Sequence, residues 1–299
     1  MRFKQLTQVI GIGRLNGTYS PRQLKVLVII SMMLIVSFLF FSGRENIFTI
    51  SGQTESISLT FTSNQLNKWD ISGASLLRDF NDFEPKHLTQ QEVYFSPAQG
   101  ASAIVSRKLN RSTEEIFIVI SKDEGSVGEI ETESGIEKLG SYIEISIPLV
   151  QARIFPFVGA LSIGEDVAVG VVDSILLSGT VKIIEQEFLS KGRYIAGEYN
   201  LDRGDRVELF MDDELLQASQ VKGFMRFTKD NPIDITCHGV GEVVKVERLG
   251  SAGYAISPSV WARLAKDPFI TAVTSLFATL LLLMEFTELI FNISSKKEE

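Results

Sequence analysis

A single cysteine, Cys237, stands among the 299 residues. No intrachain disulfide can form, so the fold is held by packing, which a domain of this size can supply without covalent staples. The cysteine count is compatible with either redox compartment. Histidine is almost as scarce, at two residues, His87 and His238. They lie far apart in sequence. His238 follows Cys237 directly, but neighbouring strand residues point to opposite faces, which disfavours shared ligation of a metal. No Gly-x-Gly-x-x-Gly run, Walker-type loop or nucleophile-elbow serine occurs, so the usual marks of nucleotide binding and serine hydrolysis are absent. Positive charge is also short: 29 Lys and Arg stand against 37 Asp and Glu, a net charge of −8. That balance argues against nucleic acid, which wants a basic face. It argues equally against a polybasic grip on anionic lipid. No cofactor, metal site or catalytic residue is expected.

Long apolar runs are present, one towards each end. Residues 269–293 read FITAVTSLFATLLLLMEFTELIFNI, with no charge before Glu285. At about 1.5 Å per residue, about 20 helical residues cover the ~30 Å hydrocarbon core of a bilayer. Residues 24–41 read LKVLVIISMMLIVSFLFF and follow a basic, acid-free segment that includes Arg2, Lys4, Arg14, Arg22 and Lys25. That run is longer than a signal-peptide core and no small-residue cleavage site follows it, so it reads as an uncleaved anchor. Basic flanks stay in the cytoplasm, which places the amino end there. With two spans the carboxyl end is cytoplasmic too, in agreement with Lys296 and Lys297 just beyond the second run. The middle of the chain is then extracytoplasmic, in the periplasm of a Gram-negative cell.

The middle is patterned as strands. Ile57, Leu59 and Phe61 alternate with Ser58 and Thr60, and Ile143, Ile145 and Ile147 alternate again. That is the period of a half-buried strand. Residues 116–120, IFIVI, read as a strand buried on both faces. Further strands are expected at 101–107, 167–177, 180–187, 193–201, 206–211, 221–228, 233–238 and 242–249, separated by turn residues at a spacing typical of antiparallel sheets. Residues 73–83 and 212–219 are expected to be short helices. The acidic, glycine-rich stretch between residues 125 and 140 reads as a long hairpin or a linker.

The expected fold is therefore a mainly β extracytoplasmic domain, an antiparallel sandwich or barrel, flanked by one transmembrane helix at each end. In chain order, residues 1–23 form a cytoplasmic basic segment and 24–42 the first span. Residues 43–140 and 141–257 form two β subdomains, with one elongated β domain as the alternative. Residues 258–267 form a juxtamembrane amphipathic segment, 268–293 the second span and 294–299 a cytoplasmic tail.

Five residues are singled out for contact with membrane or partner. Glu285 and Glu288 are three apart and share a helix face near the cytoplasmic end of the second span. Acids at membrane depth are costly and commonly functional, although at this depth they also reach headgroups and water. Arg22 and Lys25 lie at the same cytoplasmic face. Trp261 lies in the amphipathic segment, and tryptophan favours the headgroup level. The Arg203-Gly204-Asp205 sequence is read as a turn rather than an adhesion signal. Clusters such as Asp79, Asp82 and Glu84, or 212–214, lack the spacing of a calcium loop.

These features point to a non-enzymatic accessory or scaffold subunit of an inner-membrane complex, whose β domain recognises an integral membrane partner or assembles with further copies. The competing expectation is an oligomeric, channel-like effector in which Glu285 and Glu288 form an acidic ring. A third, a hydrolase of envelope polymer, requires two carboxylates about 5–9 Å apart in a cleft.

Overall fold

The structure is a computed structural model, and it describes residues 21–41, 46–63, 67–81, 84–89, 92–110, 113–164, 176–187, 191–212, 217–248 and 252–295. It divides into two compact units, one of residues 1–43 with 267–299 and one of residues 44–266. The expected strand at 167–177 lies outside the described residues up to position 175.

The helical unit holds α1 (Pro21–Phe41) and α3 (Pro268–Ser295), which touch each other. Among the described residues α3 alone is long and apolar enough to cross a membrane, over Pro268–Thr287; α1 offers a shorter apolar stretch, Val26–Ile35. The sequence pattern leads to an expectation of two spans. Ten residues at about 1.5 Å each reach only about half of the hydrocarbon core. Asp267 caps α3: its Oδ1 accepts the N–H groups of Phe269 at 2.9 Å and Ile270 at 3.3 Å. The hydroxyl of Thr271 donates to the carbonyl of the capping Asp267, and those of Thr274, Thr279 and Thr287 donate to carbonyls one turn back on the same helix. These polar groups are thus satisfied internally, as a lipid environment demands.

The second unit is mostly antiparallel sheet. Twelve strands follow one another in a path that runs from β14 (Arg193–Leu201) to β5 (Lys86–His87) without closing among the described residues. At one end of this path β1 (Asn46–Thr54) lies between β13 (Leu176–Gln186) and β18 (Ile233–Val240). At the other, β2 (Ser56–Phe61), β7 (Ser102–Asn110), β8 (Thr113–Ser121), β11 (Tyr142–Pro148) and β4 (Ser75–Asp79) follow in order. The two parts share β12 (Arg153–Ile163). Its first half pairs with β17 (Val221–Phe227), and its second half with β2. The changeover falls at Gly159, which is opposite both Val221 and Phe61.

A smaller sheet of β3 (Trp69–Asp70), β6 (Val93–Pro97), β9 (Gly128–Thr132) and β10 (Gly135–Lys138) packs on the larger one. Trp69 makes the junction. Its ring stacks on Phe155 of β12 at 5.1 Å between centroids and meets Phe61 and Phe95 edge-on or tilted. Its Nε1–H donates to the Pro156 carbonyl at 2.7 Å. In a strand the N and O of one residue point to the same edge, so the edge where Pro156 lacks an N–H is the edge Trp69 covers, not the one facing β17. Nearby, Asn67 substitutes for a strand neighbour: it accepts the Val158 N–H at 2.6 Å and donates to the Val158 carbonyl at 3.3 Å.

Several expectations change. The helix expected at 73–83 does not form over 73–81: β4 occupies Ser75–Asp79 and pairs with β11 across a bulge beside Leu77, while 82–83 lie outside the described residues. Pairing with β11 buries Leu76 and Asp79 and overrides the local helical pattern. Residues 212–219 are not a helix at their ends either, since Asp212 closes β15 (Asp205–Asp212) and β16 (Gln217–Ala218) pairs with it; 213–216 lie outside the described residues. In β8, Ile116, Ile118 and Ile120 are fully buried, but Phe117 and Val119 are only half-buried, so the strand has one covered face rather than two. The stretch between 125 and 140 contains the β9–β10 hairpin.

Candidate functional site

Four neighbouring strands, β12, β2, β7 and β8, bring the outward phase of their alternation into register. Ser162, Ser58, Ile104 and Val119 lie opposite one another across them. Ala160, Thr60, Ser102 and Ser121 form the next row. Because these side chains are short, the face is hollowed into a groove of about 340 Å³, with Glu208 of β15 and Ala218 of β16 along one wall. Thr60 and Ser102 share a hydrogen bond at 3.1 Å. Arg206 donates from Nε to Ser162 at 3.2 Å and pairs with Glu208 at 2.5 Å and Glu247 at 3.4 Å.

The groove thus offers hydroxyls, apolar side chains such as Ile104, Val119, Ala160 and Ala218, and one neutralised ion pair. Such a lining suits a neutral, extended chain more than an ion. Thr60 and Ser102 bond to each other, and Ser162 accepts from Arg206. Glu208 is the one carboxylate in the lining among the described residues, so the groove does not present the carboxylate pair of a glycoside hydrolase.

The singled-out residues fall elsewhere. Trp261 lies on α2 (Val260–Lys266), the expected amphipathic segment, which packs on β14. Its side chain is 78 % exposed. Ser259 caps this helix through a bond from the Ala262 N–H at 3.1 Å. Glu285 is exposed on α3. The side chains of Glu288, Arg22 and Lys25, and with them the expected contacts at the cytoplasmic face, lie outside the described residues.

The histidines and the cysteine separate as strand geometry requires. His238 is exposed on β18, and Cys237 is 1 % exposed on the opposite face. His87 is exposed, with its Nδ1 2.8 Å from the Ser75 hydroxyl. Among the described residues no three His, Cys, Asp or Glu side chains converge on a point where a metal could bind. Burial pushes the Cys237 thiol up to about 12, against a small opposing effect of the Ile50 N–H. An aromatic disulfide reagent at pH 8 is therefore expected to leave folded Cys237 untouched and to modify it fully in denaturant. Rapid labelling of the folded chain would contradict this burial.

The Arg203-Gly204-Asp205 turn is closed to adhesion. Asp205 is 1 % exposed and binds Arg248 with both oxygens, at 2.8 and 3.0 Å. It also accepts the Asp202 N–H at 2.8 Å, while Gly204 takes the left-handed turn position at φ 86°. Burial raises the Asp205 carboxyl, but the Arg248 and Asp202 bonds outweigh it and hold the group below its ordinary value. The folded pKa is thus lower than the unfolded one. The stabilisation is present above the unfolded pKa, near 4, and is lost as pH falls through the folded one. Asp205→Asn is expected to lower Tm at pH 7 and to shrink the loss of Tm between pH 5 and pH 3. An unchanged pH profile would show that this pair is not linked to folding.

Asp79, expected at the surface of an acidic cluster, is instead buried and accepts the N–H groups of Gly140 at 2.8 Å and Asn81 at 3.0 Å. The groove is not a site that the sequence announces. Its only signal there is the repeated Ser and Thr in the outward phase of four strands, which becomes a surface only once the register is known. No family model, no curated protein and no solved structure matches this chain, so its function rests on the geometry above.

Proposed function

We propose that the chain is a non-enzymatic accessory or scaffold subunit of a membrane complex. In this reading α1 and α3 both span the inner membrane, both termini are cytoplasmic, and the β unit is periplasmic. The carrying observation is that the β unit, residues 44–266, is one compact body whose sequence is bracketed at both ends by apolar helices. Anchoring at both ends limits its tilt and presents its outer face to neighbours in the same membrane. The hydroxyl-lined groove is the recognition surface, and an integral membrane protein or a second copy of the chain is the partner.

Native mass spectrometry after gentle detergent extraction tests this. A different membrane protein at fixed stoichiometry is the expected result. A closed homo-oligomer with nothing else bound redirects the reading to a channel-like effector. Cation leak from liposomes that disappears in Glu285→Gln would then support that alternative. A monomer with no companion overturns both.

A further inference from the structure

The outward face of the β14–β13–β1–β18 sheet is polar over most of its length. His238, Thr49, Lys182 and Glu198 form one row, with Lys182 and Glu198 paired at 3.2 Å. Thr236, Ser51, Thr180 and Asn200 form the next. The last row breaks this pattern. Val240, Ile47, Ile184 and Ile195 lie opposite one another across all four strands. Val240 is 43 % and Ile195 47 % exposed, and Ile47 and Ile184 are half-buried. The face therefore changes from apolar to polar within two residues of strand, about 7 Å.

This row lies where the sequence meets its apolar helices. Four residues, 42–45, separate α1 from β1, a reach of at most roughly 18 Å fully extended. A single residue, Asp267, separates α2 from α3. The helix α2 packs on β14, the strand that carries Ile195, and presents Trp261 to solvent. Aromatic and aliphatic side chains beside a polar row are the composition that favours the boundary between headgroups and acyl chains.

We infer that the β unit docks on lipid through this sheet end, with Ile195, Val240 and Trp261 seated in the bilayer interface. The inference rests on the membrane-anchored reading and adds to it: the β unit itself, not only its helices, contacts the bilayer. The row holding His238, Thr49, Lys182 and Glu198 then lies at the water side.

The chain supplies its own reporters. It has two tryptophans, and Trp69 is fully buried, so quenchers from lipid or water act on Trp261. The experiment uses the full chain in phosphatidylcholine vesicles, after carbonate extraction at high pH has established whether it stays with the membrane. Lipid brominated high on its acyl chains is expected to cut the Trp261 signal at least twofold, and aqueous iodide to leave it nearly unchanged. Trp261→Phe should abolish the lipid quenching. In a second measurement, spin labels at Ile195→Cys and Val240→Cys are expected to collide more with oxygen than with a water-soluble nickel chelate. A label at Glu198→Cys should show the reverse. Cys237 is buried and does not compete for the label. A chain that stays in the pellet but shows iodide quenching and nickel-accessible labels overturns the docking alone. A chain released by carbonate overturns the anchored reading and the docking with it.

Discussion

Trp69→Ala is expected to lower stability by about 3–5 kcal/mol, the range for truncating a fully buried tryptophan. For a β unit of this size that corresponds to a fall in Tm on the order of 10 °C. Three aromatic partners, Phe61, Phe95 and Phe155, lose their shared contact, and Phe155 in turn packs on Phe227 at 5.3 Å. The substitution also strands the Pro156 carbonyl that Trp69 caps. Trp69→Phe separates the two contributions, because it restores much of the ring but not the N–H donor. It should cost about 1–3 kcal/mol, the penalty of a buried acceptor left unmade. Thermal unfolding of the full chain in detergent, followed by near-ultraviolet circular dichroism, reads both. A Tm shift below about 2 °C for Trp69→Ala would mean that the smaller sheet is held by something other than this junction.

Gly159→Ala is expected to be among the most damaging one-carbon changes in the β unit. A Cβ at this position would lie 2.2 Å from the Thr60 carbonyl oxygen and 2.9 Å from Leu59 Cδ1. The first obstacle is backbone, so no side-chain rotation relieves it. β2 must move away from β12, and overpacking of that kind costs about 3 kcal/mol. Gly52→Ala is the comparison. Its nearest obstacles stand at 3.1 and 3.2 Å, and a shift of a few tenths of an ångström accommodates them. A similar loss of Tm for both variants would show that the changeover at Gly159 is not especially tight. Because Thr60 lines the groove, Gly159→Ala should also weaken whatever association the native mass measurement detects.

Alternation alone makes part of this fold legible in the sequence. Ile57, Leu59 and Phe61, and again Ile143, Ile145 and Ile147, are buried as their spacing implies. Such strands announce themselves because one face is wet and the other dry. The strands that the pattern misses lack that contrast. β12 carries Pro156 and both Phe157 and Val158 buried in succession, so it looks like neither an edge strand nor an alternating one. Its proline is tolerated only because a tryptophan far away in sequence occupies the edge where an N–H is missing. β4 resembles a helix because its apolar pair, Leu76 and Leu77, straddles a bulge that only pairing with β11 creates. The candidate surfaces are less legible still. Trp261 stands out as an aromatic in an amphipathic segment. The groove and the apolar row depend on which strands become neighbours, and the apolar doublets Ile47-Phe48 and Ile183-Ile184 are the faint trace of that row in the sequence.

The placement of β1 bears on how the chain acquires its structure as it is made. β1 is the first strand of the unit to be synthesised, yet its partners are β13 and β18, and Ile47 pairs with Val240 near the unit's end. Contacts so distant in sequence form late and slowly, because a long loop must close before they bring any gain. A chain stopped before β18 leaves β1 with β13 as its one neighbour and an open edge of backbone donors and acceptors, the kind of edge on which other chains aggregate. In the periplasmic placement proposed above, the unit matures as a whole once translocation is nearly complete, and until then its first strand depends on the membrane or on a holding chaperone for cover.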